Sequence, residues 1–286
     1  MIVKPGKPPT QSSSYRPISL LPLMSKIFER LLLKRIHETV DLDSLLPSHQ
    51  FGFRHYHSTI HQCHRIVTHI MRSLETKRIC TASFLDIKQA FDKVWHKGLL
   101  FKLKLHFPSQ LYLVLKSYLA ERFFQVKINN TVSEYHEITS GVPQGSVLGP
   151  LLYLLYTSDM PNMDHTVVAT FADDTAILAT NEKPETAAAH LQSHLDVLQK
   201  WFNKWCITVN TDKSVHVTFT NRRVICTQVR INDATIPQKT ETKYLGLHLD
   251  HKLNWNAHIK AKRKQIDIKA KQMNWLIGRR SQLSLS

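Results

Sequence analysis

The sequence predicts an α+β fold. Stretches of helical periodicity at 17–40, 58–74 and 184–206 are interleaved with short apolar, β-branched runs at 79–87, 166–180 and 214–219. No regular βα alternation and no internal repeat joins them, which argues against a doubly wound parallel sheet. With 286 residues, 42% of them hydrophobic, the chain can bury a substantial core.

Each element has its own signal. Segment 17–40 carries Leu23, Ile27, Leu31 and Leu32 with basic residues between them, predicting an amphipathic helix after a proline-punctuated lead-in. "LPSHQFGFR" (46–54) reads as a loop, followed by a helix from about Ser58 to Leu74. "ICTASFLDI" (79–87) is a buried strand, and two helical segments flank Pro108. Alternation over 124–138 around Asn129-Asn130 predicts a hairpin. The glycine-rich stretch 141–149 leads into an apolar helix, then a strand pair around 166–180 with Asp173 and Asp174 at its bend. In 184–206, Pro184 and Glu185 suit a first turn, and Leu191, Leu195, Leu198, Phe202 and Trp205 share one face. Strands fit 207–209, 214–219 and 228–236, and 260–272 is a basic helix.

Lysine and arginine total 38 against 22 acidic residues, a formal charge of +16. A polyanion, nucleic acid above all, is the natural match, although a basic globular protein without such a partner fits the same number. Four scattered cysteines with no C-x-x-C pair exclude a disulfide scaffold and a cysteine zinc site, and fit a reducing compartment. "HYHSTIHQCH" (55–64) would align His57, His61 and His64 if it were helical, yet solvated histidines explain it as well as a metal does. The first ten residues are polar and proline-rich, unlike a secretory signal, and "VLGPLLYLLY" is too short to span a bilayer. We expect an intracellular protein, nuclear or cytoplasmic, and "MIVKPGKPP" reads like the middle of a strand and turn in a longer polyprotein.

The chemistry gathers at carboxylates. Asp173 and Asp174 interrupt an apolar run, and such a pair repels itself unless a divalent cation neutralises it. Read alone, the pair is better explained as a polar hairpin turn. Asp86 also closes an apolar run, "TASFLD". If that strand lies beside the 166–180 pair, Asp86 faces Asp173 across one cleft. Three carboxylates there could hold two Mg²⁺ ions about 4 Å apart, the arrangement used for in-line phosphoryl transfer. Three of the chain's eight glycines fall in "GVPQGSVLG" (141–149), where backbone can approach a ligand closely and Gln144 offers both donor and acceptor. A plain connecting loop is the alternative there.

In order along the chain stand "YRPISLLP" (15–22), "QFGFR" (50–54), "FLDIKQAFDKVWH" (84–96), "GVPQGSVLGPLLY" (141–153), "FADDTAIL" (171–178), "NTDKS" (210–214) and "YLGLHLD" (244–250). Together they resemble the reverse transcriptase domain of non-LTR, jockey-like retrotransposons over nearly the whole chain. The resemblance implies a right-hand polymerase: fingers at 1–80 and 108–140, palm at 81–107 and 141–250, and the start of a truncated thumb at 251–286. It implies Asp86, Asp173 and Asp174 as metal-binding catalytic carboxylates for two Mg²⁺, with Mn²⁺ as a substitute. Phe91 matches an aromatic gate against a ribose 2′-OH, with core packing as the alternative. Gln144 and Gly145 match the nucleotide and template loop, and Arg54 a triphosphate clamp. Lys213 matches the lysine near the leaving pyrophosphate, and Tyr244, Leu245 and Gly246 the primer grip.

The implied activity is RNA-directed DNA synthesis from dNTPs on an RNA template with a DNA primer, held as an RNA–DNA hybrid, without a membrane partner. Fusion to an endonuclease in the full-length element is implied as well. A catalytically inactive or co-opted nucleic-acid-binding remnant, or a related cellular or mobile-intron enzyme, would show much the same motifs.

Overall fold

Helical stripes and apolar runs resolve into helices laid on both faces of one central sheet. The computed structural model describes residues 2–3, 6, 8, 10–11, 14–128 and 130–277. A short pairing of β1 (Ile2–Val3) with β2 (Tyr15–Arg16) leads to α1 (Leu23–Thr39), α2 (Leu42–Leu45) and α3 (Thr59–Glu75). β3 (Ile79–Leu85) precedes α4 (His96–His106) and α5 (Ser109–Leu119). The strands β4 (Phe123–Phe124), β5 (Lys127–Ile128), β6 (Thr131–Val132) and β7 (His136–Glu137) nest as a hairpin, β4 with β7 and β5 with β6. After α6 (Gly149–Tyr156) come β8 (Thr166–Phe171), β9 (Asp174–Asn181), α7 (Pro184–Lys204) and β10 (Val215–Phe219). β11 (Arg230–Ile231) pairs with β12 (Ala234–Thr235), and β13 (Glu241–Tyr244) with β14 (Leu247–Asp250). α8 (Asn256–Gln272) and α9 (Asn274–Ile277) follow.

The central sheet runs β10-β3-β9-β8, every pair antiparallel. Side chains alternate across it. Leu85, Val168, Ile177 and Ala179 join the core built by α1, α4, α5, α6 and α7. Cys80, Ala82, Phe84, Ala169, Ala176 and Leu178 join the second core, under α3 and the β13–β14 hairpin. β3 is therefore buried along its whole length, which is why its sequence reads as an unbroken apolar run. α7 buries Leu191, Leu195, Leu198 and Phe202, with Trp205 just past its end, as its periodicity predicts.

Some expectations are corrected. α1 buries Glu29, Leu32 and Ile36, while Leu23, Ile27 and Leu31 stay exposed. The helix is turned so that a carboxylate faces inward, because buried peptide N–H groups await it there. His57 precedes the α3 N-cap, Ser58, whose side chain accepts from the His61 N–H at 3.2 Å, so the three histidines do not share a helix face. Segment 207–209 contributes one bridge, Val209 with Ile87, rather than a strand, and 228–236 is a two-plus-two hairpin. Asn129, at the expected tip of the 124–138 hairpin, lies outside the described residues.

Candidate active site

Strand register assembles the carboxylates. β9 pairs with β3 from Asn181 opposite Ile79 to Thr175 opposite Leu85, and one further step sets Asp174 opposite Asp86. On the other side of β3, the pairing of Val215 with Phe84 continues to Lys213 beside Asp86. Lys213 Nζ lies 3.8 Å from Asp86 Oδ2. A row of Lys213, Asp86 and Asp174 thus crosses three strand ends. Phe171 pairs with Asp174, leaving Ala172 and Asp173 as the two-residue turn. The sequence reading placed both aspartates at the bend and set Asp86 against Asp173. Asp174 opens β9 and stands level with Asp86 when the register is carried one step past the Thr175–Leu85 pair, while Asp173 occupies the adjoining turn.

Three like charges leave an electrostatic signature. The Asp174 carboxyl is pushed up to about 6, first by desolvation and then by Asp173 and Asp86, although the residue is exposed at the head of β9. These donors are hard oxygens, the set that suits Mg²⁺ with its remaining positions filled by water and phosphate oxygens. Among the described residues no group of three or more aspartates, glutamates, histidines or cysteines is placed to hold a metal ion. The expected convergence of Asp86, Asp173 and Asp174 into one metal-holding group is therefore not seen among the described residues. The donor chemistry fits Mg²⁺ of the kind that shares its shell with substrate.

Two motifs brace this row through the backbone. Asn210 N–H donates to the Asp86 carbonyl at 2.7 Å, and Asp86 N–H donates to Ser214 Oγ at 3.1 Å, so "NTDKS" holds the end of β3. In "QFGFR", Gln50 Oε1 accepts from Ala172 N–H at 2.9 Å, and its Nε2 donates to the Ala172 carbonyl at 3.3 Å. Gly52 lies so close that a Cβ there would stand 2.2 Å from the Ala172 nitrogen. Ala172 itself takes a left-handed φ of 57°. The aspartate turn is thus clamped by a loop more than a hundred residues away. Sequence reasoning treated the loop only as a place for Arg54.

Phe91 is half-buried, stacked on Tyr153 at 4.7 Å between centroids and edge-on to Phe53. Burial, then Asp173, raises the Tyr153 phenol far above its ordinary range, which places this aromatic stack beside the turn aspartate. Tyr153 lies in an apolar helix where core packing hid its position at the site. Next to the stack, Val142 N–H donates to the Phe91 carbonyl at 2.8 Å, and Gln144 Nε2 donates to Asp92 Oδ1 at 2.7 Å. Gln144 and Gly145 are therefore held on the segment that carries Phe91.

Across the row, a cleft of about 400 Å³ is lined by Asp86, Asp174, Lys213 and Tyr244, together with Lys239 and Lys243. Tyr244 is buried, donates to the Ala169 carbonyl at 3.3 Å and packs against Phe84. Leu245 and Gly246, at φ 45° and 88°, make the two-residue turn of the β13–β14 hairpin, a geometry that demands left-handed backbone. Lys239 and Lys243 went unnoticed in a lysine-rich chain because only the fold singles them out. Arg54 is not brought to the carboxylates. Its guanidinium donates to Asp43 Oδ1 at 2.8 Å and to the Pro47 carbonyl, in a separate groove beside α1 and α2, and so ties the loop down.

A central antiparallel sheet with acidic strand ends, an aromatic stack on one side and a hairpin on the other defines a right-hand polymerase fold. Solved telomerase structures from Candida tropicalis share it. One in complex with a fragment of telomeric RNA has a TM-score of 0.52 at 14% identity, covering 82% of this chain and 37% of that one. A second, the apo enzyme truncated from its C-terminal domain, has a TM-score of 0.51 at 14% identity over 82% of this chain and 44% of that one.

The reverse transcriptase (RNA-dependent DNA polymerase) family matches residues 2–249, and the chain belongs to that family. It is 45% identical to the RNA-directed DNA polymerase from mobile element jockey of Drosophila melanogaster, and 43% identical to the probable RNA-directed DNA polymerase from transposon X-element of the same species. Each alignment covers the whole of this chain and 32% of the relative, so the chain spans about a third of the length of the curated relatives it matches. Among the described residues, no helix is long and apolar enough to cross a membrane.

Proposed function

We propose that this chain is the RNA-directed DNA polymerase unit of a non-LTR retrotransposon protein, extending a primer 3′-OH with dNTPs on an RNA template. The observation that carries the reading is the register that sets Asp86 against Asp174, with Asp173 at the adjoining turn, inside a chain of this family. Bound at these carboxylates, Mg²⁺ would supply Lewis-acid activation of the primer hydroxyl and neutralise charge on the phosphates.

The remaining work belongs to the chain's own side chains. Tyr244 and the Leu245-Gly246 turn hold the primer end on the Asp174 side of the row. Phe91, backed by Tyr153, lies where the sugar of the incoming nucleotide stands and rejects a 2′-OH by clash. Gln144 and Gly145 lie against the nucleotide and its template partner. Lys213 Nζ, beside Asp86, donates a proton to the departing pyrophosphate. α8 carries Lys260, Lys262, Arg263, Lys264, Lys269 and Lys271 and buries none of its residues, which suits it to the backbone of an RNA–DNA hybrid. In this reading 1–80 and 108–140 act as fingers, 81–107 and 141–250 as palm, and the segment from 251 as thumb. An endonuclease belongs to the rest of the longer protein.

The test is Mg²⁺-dependent incorporation of dTTP on poly(rA)/oligo(dT), with hybrid binding measured in parallel. Extension abolished by a chelator is the expected result. Tight hybrid binding without any extension would instead mark a nucleic-acid-binding remnant.

A further inference from the structure

α1 turns a glutamate inward at a position where its neighbours expose leucine and isoleucine. Glu29 is 1% exposed. Its Oε2 accepts from Val147 N–H at 2.5 Å and from Leu148 N–H at 3.2 Å, and its Oε1 accepts from the Tyr118 hydroxyl at 3.0 Å. Val147 and Leu148 end the glycine-rich loop and open α6, where peptide N–H groups lack helical partners and a carboxylate is favoured by the helix dipole. The lead-in to α1 grips the same loop further back. Ser19 N–H donates to the Gln144 carbonyl at 2.8 Å, and Gly145 passes so close that a Cβ would stand 3.2 Å from the Ser19 carbonyl oxygen. From the opposite side the loop is tied to the Phe91–Asp92 segment.

We infer that Glu29 is a positioning residue for nucleotide binding: its buried carboxylate fixes the 144–148 loop, and with it Gln144 and Gly145, at the proper height against Phe91. This rests on the polymerase reading above. Glu29 touches no reacting atom; it acts on the loop through two peptide N–H groups, while the Tyr118 hydroxyl steadies its other oxygen. Glutamine can still turn its one amide oxygen to both N–H groups, with its NH₂ toward the Tyr118 oxygen, but it lacks the negative charge that strengthens these bonds and that the N-terminus of α6 favours.

The test compares wild type, Glu29→Gln and Tyr118→Phe in primer extension with varied dTTP, alongside thermal midpoints and hydrogen exchange at the 147 and 148 amides. For Glu29→Gln, the expected result is a rise in dNTP KM on the order of tenfold with kcat within about threefold, and faster exchange at both amides. Tyr118→Phe keeps both amide contacts and leaves KM within about twofold of wild type. A purely structural role would lower the midpoint and the active fraction without moving KM, and that outcome overturns the inference. An equal KM rise in Tyr118→Phe overturns it too. If wild type does not extend at all, the polymerase reading fails first, and unchanged amide exchange in Glu29→Gln then disposes of the positioning role separately.

Discussion

Phe91 shows how much one side chain decides. Its ring is stacked on Tyr153 and so held in place, and in the proposed function it is this fixed ring that an oversized sugar would meet. On the proposed role, replacing it with alanine would remove the clash while leaving the carboxylates untouched. The ratio of ribonucleotide to deoxyribonucleotide incorporation by Phe91→Ala should rise by at least about tenfold. Steady-state incorporation of UTP against dTTP checks this, and an unchanged ratio would return Phe91 to the core. The carboxylates could be picked out in the sequence only together, since Asp173 and Asp174 alone read as a polar turn and Asp86, closing a second apolar run, added the weight. Which of them face each other was not legible. Partnership across strands depends on register, and register depends on residues far away in the chain.

At the scale of elements, the "QFGFR" loop and the aspartate turn behave as one unit. Gly52 is present because a side chain there would collide with the backbone of Ala172 and Phe171. Gly52→Ala should shift the turn, destabilise the protein by about 1–3 kcal/mol and lower extension on the order of a hundredfold, with hybrid binding retained. Chemical denaturation and single-turnover extension measure the two effects; normal extension would show that the turn tolerates the displacement. Helices with a clear signal, such as α3 and α7, and the unbroken apolar run of β3 could be read directly. α1 could not be read in the same way, because Glu29 outweighs the leucines through partners supplied by residues 147–148. The arginine of the loop was misplaced for a related reason: Arg54 pairs with Asp43, a contact that local sequence does not announce.

The whole molecule depends on neutral histidines inside its core. His49 is depressed to about 4 by burial, then by Arg65 and His194, and His216 to about 4 by burial alone; His194 is lowered as well. His49 bonds to Thr170, His194 to Thr166, and His216 to Thr81, all on strands of the central sheet. Because the folded values lie below the unfolded one, stability is complete above about pH 6.5 and is lost as the pH falls toward 4. Each of the two strongly shifted residues costs about 1.4 kcal/mol per pH unit in that window. Asp174, raised to about 6, acts in the opposite sense over part of it. Urea midpoints between pH 7.5 and 5 should therefore fall, and a flat profile would mean that these rings are protonated or hydrated in the fold. The central claim is that Asp86 and its neighbours across the sheet are the carboxylates of polymerisation. Its most direct test is single-turnover primer extension by Asp86→Asn at a hybrid concentration that saturates binding. We expect loss of extension by more than about a thousandfold with hybrid affinity unchanged, and near-normal extension by that variant would contradict the account.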